Sequence, residues 1–527
     1  MGRRLLIAAA FVIVGLVLVP VAGMILASVD PPAGLPTPPP RPLSELLPLI
    51  ARTLALALTV SVAALTLGTW LAWVEQRTSL PGARLLSTLS VLPLAVPSYL
   101  SASILRETMA PAGWLGAIFG TQGRFTGFWP AALILTVSTA PFVQILVGSA
   151  LRRLPAAQEE AARSLGASPW RRFTALVAPR LRPTWAFSLA IVALYAISDF
   201  GAVAVLDCRV LTWELYKSYN TFDIPNAARL GFGLMILVVP LLVGIRLLHG
   251  AARPERGGAD REAPRRPLPH WAAALTWLVQ ALVVGLGVFL PLAALSAWLI
   301  NGLRQPGVTF APIGQDILDT ALLALFGALV ATLLALAPAW AAARLLPRRG
   351  WIVENGAYLT SSLPGVLVAF GVIQMLVVLK RHAPLEIGDQ PLWLTLERVG
   401  LAVILGYTMR FLAEGYAALK PAILRLDPRQ EEIARSLGAS PWRRLRRVAL
   451  PQLAPGFAAA YALIFLAIVK ELPITMMLLP SGHTTLAYRV FDAQREGLLP
   501  DLGLAGLVLL VLALLMQLAL LRWRRHV

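Results

Sequence analysis

The chain alternates long apolar runs with short polar breaks. "LLIAAAFVIVGLVLVPVAGMILA" (5–27) and "LGLAGLVLLVLALLMQLALL" (502–521) are two such runs, each long enough to cross a hydrocarbon core of about 30 Å as a helix. Spans are expected near 5–28, 48–74, 85–105, 128–150, 183–206 and 227–248. A second set is expected near 271–299, 317–344, 357–379, 398–420, 455–479 and 502–521. Hydropathy therefore predicts an all-α polytopic membrane protein of about 12 transmembrane helices. The sets are divided by "ARPERGGADREAPRRP" (252–267), whose proline, glycine and charge read as a linker. The expected organisation is a first unit over 1–250, a linker over 251–268 and a second unit over 269–527. "DPPAGLPTPPPRP" (30–42) is expected to be extended and outside the membrane, because its prolines lack the N–H groups a packed helix needs. The opening "MGRR" with its apolar run, and "LAS" at 26–28, resemble a signal peptide. That run exceeds the about 7–15 residues usual for one, so it reads as an uncleaved first helix.

Composition agrees with this pattern. Of 527 residues, 57% are hydrophobic and 14% charged, against about a quarter charged in soluble domains. The net charge of +19 raises the question of nucleic acid, and the placement of the charge answers it. The N-terminus, 75–84, 152–182, 246–270, 344–354, 420–447 and the tail after Leu521 hold 31 of the 46 Lys and Arg but 10 of the 27 acids. Basic residues concentrated in short loops on alternate sides of the spans follow the positive-inside rule, which puts both termini in the cytoplasm. The charge orients the protein and does not call for nucleic acid. A single cysteine, Cys208, excludes an intrachain disulfide, and the five histidines show no ligand spacing. No metal, cofactor or catalytic residue is assigned, since no nucleophile, base or metal triad clusters. A membrane enzyme is therefore unsupported.

The two sets of spans are related. The twelve residues from Ala162 to Phe173 recur from Ala434 with a single change at the end, 272 residues later. "RTLALALTVSVAALTLG" (52–68) has a counterpart in "DTALLALFGALVATLLA" (319–335), and "LPLAVPSYL" (92–100) in "SSLPGVLVA" (361–369). At the 272-residue offset "SDFG" (198–201) falls on "KELP" (470–473), and Tyr216 on Tyr488. Such duplication points to two pseudo-symmetric halves around a shared pathway. Both polar copies lie on the basic side, so the repeats are parallel.

The polar copies have a local structure of their own. "EEAARSL" and "EEIARSL" favour helix; Gly166 and Gly438 suit left-handed C-terminal caps. Ser168 and Ser440 are expected N-caps of a second helix with Pro169 and Pro441 at its first position. Pro179 and Pro451 are expected to end that helix before the next span. A basic interfacial helix accounts for the arginines. It leaves unexplained why Glu, Ala, Gly and Pro recur at fixed spacing, which suits a surface presented to a two-fold partner.

This pattern resembles the coupling loop of ABC-importer permeases. The first copy fits at Glu160, Ala161, Ala162, Gly166, Leu176, Ala178 and Pro179; the second at Glu432, Ile433, Ala434, Gly438, Val448, Leu450 and Pro451. Ile433 and the small Ala178 depart mildly from the pattern. The resemblance implies a type I permease fold of two parallel six-helix repeats, with coupling loops over 152–182 and 424–454. It implies a multi-pass protein of the bacterial inner membrane, two copies of a separate cytoplasmic ATPase holding ATP and Mg, and a periplasmic substrate-binding protein. The chain itself shows no phosphate-binding loop, because none of Lys217, Lys380, Lys420 and Lys470 follows a glycine. It reads as a transport subunit in contact with lipid, not as an enzyme.

"ISDFGAVAVL" (197–206), "VKELPITMMLLPSGHTTLAYRVF" (469–491) and "RFLAEGYAALK" (410–420) resemble the fused permeases of ferric iron importers. Thiamine, polyamine or another small solute remains open, as does an ion-coupled secondary transporter, which would not need paired elbows. Asp199 and Glu471 occupy equivalent places in apolar surroundings, where ionisable groups normally face a pathway or a partner. Two carboxylates would suit a hard cation. The structural alternative has Glu471 paired with Lys470 and Asp199 capping a helix. Tyr216 and Tyr488, with Lys217 and Arg489, are candidates for the surface that receives a binding protein, or else interfacial anchors. Pro93, Pro97 and Pro364 are expected to kink or break helices.

Overall fold

The computed structural model describes residues 2–16, 18–29, 38–154, 156–251, 265, 267–308, 310–382, 386–387, 390–391 and 400–526. The linker over 252–264 and the proline-rich residues 30–37 lie outside these. The described chain is almost wholly helical, apart from a two-residue antiparallel pair, Glu386–Ile387 against Gln390–Pro391.

Among the described residues, eight helices are long and apolar enough to cross a membrane. They are Leu43–Arg77, Phe128–Arg152, Trp170–Ser198, Ile224–Ile245, His270–Arg304, Gly314–Leu345, Trp442–Val469 and Leu499–Ala519. The number rises to ten if each of two bent pairs is one span: Arg4–Gly15 with Leu18–Val29, bent by 43°, and Thr88–Ala95 with Ser98–Thr108, bent by 91°. The other two expected segments fold as helices of a different character. One is divided at Leu363–Pro364 into Gly350–Ser362 and Gly365–His382. The other, Leu401–Arg425, is continuous but carries Arg410, Glu414, Lys420 and Arg425. A chain with such charges is stable at membrane depth only when they turn toward a protein interior.

The breaks at Pro97 and Pro364 stand 267 residues apart, the spacing that also relates 52–68 to 319–335. Each follows from a proline that cannot donate to the helical ladder and forces its predecessor out of the helical region. Val96 adopts φ −81°, ψ 125° there. The breaks expected at Pro97 and Pro364 are therefore present, whereas Pro93 sits in a 3-10 turn that continues the preceding helix.

Each half wraps its first helix onto the other half. Leu18–Val29 packs on Gly365–His382 as well as on Ile224–Ala251, and Leu290–Arg304 packs on Ser98–Thr108 as well as on Leu499–His526. Small residues let these backbones approach: a Cβ built on Gly371 would lie 2.2 Å from Pro20 Cα, and one on Gly23 would lie 2.2 Å from the Gly371 carbonyl oxygen. Ser90 adds a buried hydrogen bond across the halves, with its Oγ donating to Gln280 Oε1 at 3.1 Å.

Candidate functional site

The two polar copies fold into the same elbow. Ala156–Ser164 and Pro428–Ser436 form the first arms. Gly166 and Gly438 close them with φ +77° and +75°. In both copies the next amide reaches back over the turn: Ala167 N donates to Ala162 O and Ala439 N to Ala434 O, each at 3.0 Å. This is the bonding of a Schellman cap, which glycine adopts without a Cβ penalty. Ser168 and Ser440 then accept from Arg171 N and Arg443 N, each at 3.3 Å, as N-caps of the second arms.

Each elbow directs apolar side chains outward. Leu165 is 87% exposed and Leu437 81%, with Trp170 and Trp442 at 74% and 67%. Glu160, Ala161, Gly166, Glu432 and Gly438 are also exposed, while Ala162 and Ala434 are half-buried against the turn. Exposed large apolar groups at matched positions of a charged segment mark a docking face more than a solvated loop.

One expectation is corrected. Pro179 and Pro451 do not end the second arm; both are exposed residues inside helices that run on, as Trp170–Ser198 and Trp442–Val469. A π turn precedes each proline, over Phe173–Val177 and Leu445–Ala449. In the first, Ala178 N donates to Phe173 O, five residues back. The proline's missing N–H thus falls where the ordinary ladder is already interrupted, and the helix survives.

The carboxylates of Asp199 and Glu471 line one cavity of about 180 Å³ between the halves. Pro93, Ser98, Tyr99, Tyr195 and Ser198 come from the first half; Gly365, Arg410, Lys470 and Pro473 come from the second. Both acids are also helix caps. Asp199 Oδ1 accepts from Ala202 N at 2.9 Å and Glu471 Oε1 from Ile474 N at 3.2 Å, starting the short helices Gly201–Val205 and Pro473–Leu478. Capping and lining a cavity are compatible, because each carboxylate has two oxygens. The Lys470–Glu471 pairing is not the arrangement found: Lys470 Nζ donates to the Leu94 carbonyl of the other half at 3.0 Å.

The halves exchange length for bulk around these acids. Ser98 Oγ donates to Asp199 Oδ2 at 2.6 Å. Gly365 stands at the matching place after Pro364, and a Cβ there would lie 2.7 Å from Glu471 Oε1. The longer acid is thus accommodated by a missing side chain. Gly365→Ser is expected to displace Glu471 and unseat the Ile474 cap, costing about 1–3 kcal/mol as overpacking does; chemical denaturation of the detergent-solubilised protein would show it, and an unchanged midpoint would contradict it.

The pairing of Tyr216 with Tyr488 is also corrected. Thr53 Oγ1 accepts from Leu211 N at 3.1 Å, and Thr320 Oγ1 from Leu486 N at 2.9 Å. These bonds begin equivalent helices, Leu211–Asn220 and Leu486–Glu496, so the offset has grown to 275 residues. Tyr216 therefore matches Phe491, and Tyr488 matches Trp213. Tyr216 is 7% exposed, packs edge-on against Phe200 at 4.9 Å and donates to Met476 Sδ at 3.5 Å. It lies between the halves rather than on a surface. Tyr488 is half-buried. Arg489 is held by Asp316 at 2.8 Å.

Sequence reasoning did not single out Ser98, Gly365, Arg410 or the exposed Leu165 and Leu437. The signals were present: Ser98 and Gly365 each follow a breaking proline, and Arg410 interrupts an apolar helix. Among the described residues, no three His, Cys, Asp or Glu side chains group as a metal site.

The chain is similar in sequence to permeases of transport systems. A family model described as "Binding-protein-dependent transport system inner membrane component" matches residues 64–255 and again 335–527. The Fe(3+)-transport system permease protein FbpB 2 of Haemophilus influenzae is 27% identical over 449 residues, 84% of this chain and 83% of that protein. The putative 2-aminoethylphosphonate transport system permease protein PhnV of Salmonella choleraesuis is 31% identical over 271 residues, 48% of this chain and 96% of that one. The probable sulfate transport system permease protein cysT of Chlorokybus atmophyticus is 29% identical over 191 residues, 34% of this chain and 66% of that one. The chain belongs to the family of binding-protein-dependent transport system inner membrane components, and it carries the family's unit twice.

Proposed function

We propose that this permease of an ABC importer carries ferric iron, and that its two elbows dock on two copies of a separate cytoplasmic ATPase that holds ATP and Mg. The observation that carries the docking assignment is the identical bonding of the elbows at Gly166 and Gly438, with Leu165 and Leu437 turned outward. A pair of matched patches on one chain suits a partner present twice. The basic bias of the elbow segments puts that side, with both termini, in the cytoplasm of a bacterial inner membrane. Loaded periplasmic binding protein then meets the opposite end, where Leu211–Asn220 and Leu486–Glu496 lie. Closure of the ATPases displaces both elbows, and the halves rock about the cavity between Asp199 and Glu471.

Iron is favoured by the resemblance to FbpB 2 across most of the chain and by two oxygen-donor acids facing one cavity. A second reading, an oxyanion or phosphonate cargo, is favoured by Arg410 and Lys470 in the same cavity and by the sulfate and aminoethylphosphonate relatives. Uptake by the complex in liposomes separates them. With ferric cargo, Glu471→Gln is expected to lower uptake about ten-fold, the loss of roughly 1.4 kcal/mol of cargo interaction, while Lys470→Met leaves cargo recognition in place. Uptake of labelled sulfate or phosphonate that depends on Lys470 rather than Glu471 would reject the iron reading.

A further inference from the structure

Both halves carry Trp-x-x-x-Arg, as Trp73 with Arg77 and Trp340 with Arg344, 267 residues apart. Each motif sits at the end of a long helix, Leu43–Arg77 or Gly314–Leu345, that supplies no residue to the cavity lining. Arg77, 7% exposed, donates through Nη2 to the Leu151 carbonyl at 3.2 Å. Arg344 Nη2 donates to the Ile423 carbonyl at 2.9 Å and to that of Leu426. Leu151 and Ile423 are equivalent, and both lie at the end of the span that leads into an elbow. Each of these carbonyls also takes a backbone amide just past its helix, Leu154 N for Leu151 and Leu426 N for Ile423, at 3.3 Å, and the guanidinium adds a second donor that complements the negative helix terminus.

In the first half the grip extends to the elbow itself. Arg77 Nη2 lies 2.8 Å from Glu159 Oε1 in the first arm. One turn earlier, Trp73 meets Phe173 of the second arm edge-on at 5.4 Å. Glu159 therefore faces inward while its neighbour Glu160 is exposed. In the second half Trp340 packs with Leu426 and Phe457 on the core around Leu419, Ile423 and Leu453.

The far ends of the same two helices are also held. Thr53, buried, accepts from Leu211 N, and the next residue, Thr212, donates through Oγ1 to the Asp199 carbonyl at 3.1 Å. Thr320 accepts from Leu486 N at the equivalent place. Between Thr53 and Arg77 the helix Leu43–Arg77 spans about 36 Å, fixed at Arg77 to an elbow and at Thr53 to the start of Leu211–Asn220, which holds the Asp199 carbonyl.

We infer that these two helices are push-rods. Each is gripped at the elbow end by Trp-x-x-x-Arg and joined at the other by Thr53 or Thr320, and so hands elbow displacement to the far side of the cavity. Arg77, Arg344, Thr53 and Thr320 are positioning residues in this role. The inference rests on the proposed docking of an ATPase at the elbows. Packed rigid elements of this kind carry coupling when their attachments at both ends are intact.

The test uses the full complex of permease, ATPase and binding protein in liposomes, with uptake and ATP hydrolysis measured together. Arg77→Met and Thr53→Val are each expected to retain the ATPase on purification and its basal hydrolysis. Uptake per ATP should fall about ten-fold, within the range of coupling free energies between sites. Because both act through one rod, the double variant should fall no further than the worse single one. Glu159→Gln, a change on the elbow that leaves the Leu151 contact in place, gives a variant whose folding is not in question and should show the same partial uncoupling. Unchanged uptake per ATP in all three, additive losses in the double variant, or loss of the ATPase from Arg77→Met would overturn the push-rod. A wild-type permease that retains no ATPase would overturn the docking assignment and the push-rod together.

Discussion

Gly438→Val is expected to abolish most transport while leaving the permease inserted and folded. Gly438 holds φ +75°, a region that a β-branched residue essentially never adopts. A Cβ there would meet no atom within 4 Å, so the substitution introduces backbone strain without a collision. Such strain costs about 1–3 kcal/mol, so the docking-competent elbow should become roughly ten- to a hundred-fold rarer. The spans do not depend on that turn, and membrane yield should stay at the wild-type level. Gly438→Asn supplies the control, because asparagine tolerates the left-handed region; it should keep ATPase co-purification and uptake near normal. Equal behaviour of the valine and asparagine variants would remove the conformational explanation, and normal uptake in the valine variant would remove the elbow's role. Gly166, at φ +77° with equally open surroundings, should give the same contrast.

A second large effect is expected at Gly371, for the opposite reason. A Cβ there would lie 2.2 Å from Pro20 Cα and 2.5 Å from the Pro20 carbonyl oxygen. Those atoms are backbone, so no rotamer change relieves the contact. Gly371→Val should therefore lift the first helix from the second half, at a cost at or above the about 3 kcal/mol that marks severe overpacking. The fall should appear as reduced accumulation in membranes and a lower melting temperature in detergent. A wild-type melting temperature would show that the helix Leu18–Val29 does not pack where the structure puts it.

These two glycines illustrate what the sequence could and could not disclose. Gly166 and Gly438 were legible because the whole elbow recurs, and the cap geometry follows from local rules that need no tertiary partner. Gly371 was not, because its requirement comes from Pro20 in the other half. The acids Asp199 and Glu471 could be paired by offset alone, and the structure places both on one cavity. Their partners could not: Ser98 and Gly365 matter through a difference of one methylene between the two acids. The aromatic pairing failed for a countable reason. Both the short helix Pro473–Leu478 and the connection that follows it are longer than Gly201–Val205 and its connection, by one and two residues, so a fixed 272-residue offset misassigned Tyr216. The prolines at 179 and 451 were misread because helix-ending rules assume an unbroken i→i−4 ladder, whereas a π turn had already broken it. The charged helix Leu401–Arg425 escapes a hydropathy criterion because Arg410 serves the interior rather than lipid.

The central claim is that both elbows seat on an ATPase, and site-specific cross-linking addresses it most directly. The background is favourable: Cys208 is the single cysteine and is buried, and burial pushes its thiol up to about 11, so it reacts poorly with maleimides. Leu165→Cys and Leu437→Cys each place a thiol on an exposed elbow. Labelled with a photoreactive maleimide in membranes that contain the whole transporter, each is predicted to cross-link to the ATPase, and the two together to capture two ATPase copies per permease. Cross-links from either elbow that contain only lipid, or a protein other than the ATPase, would contradict the account.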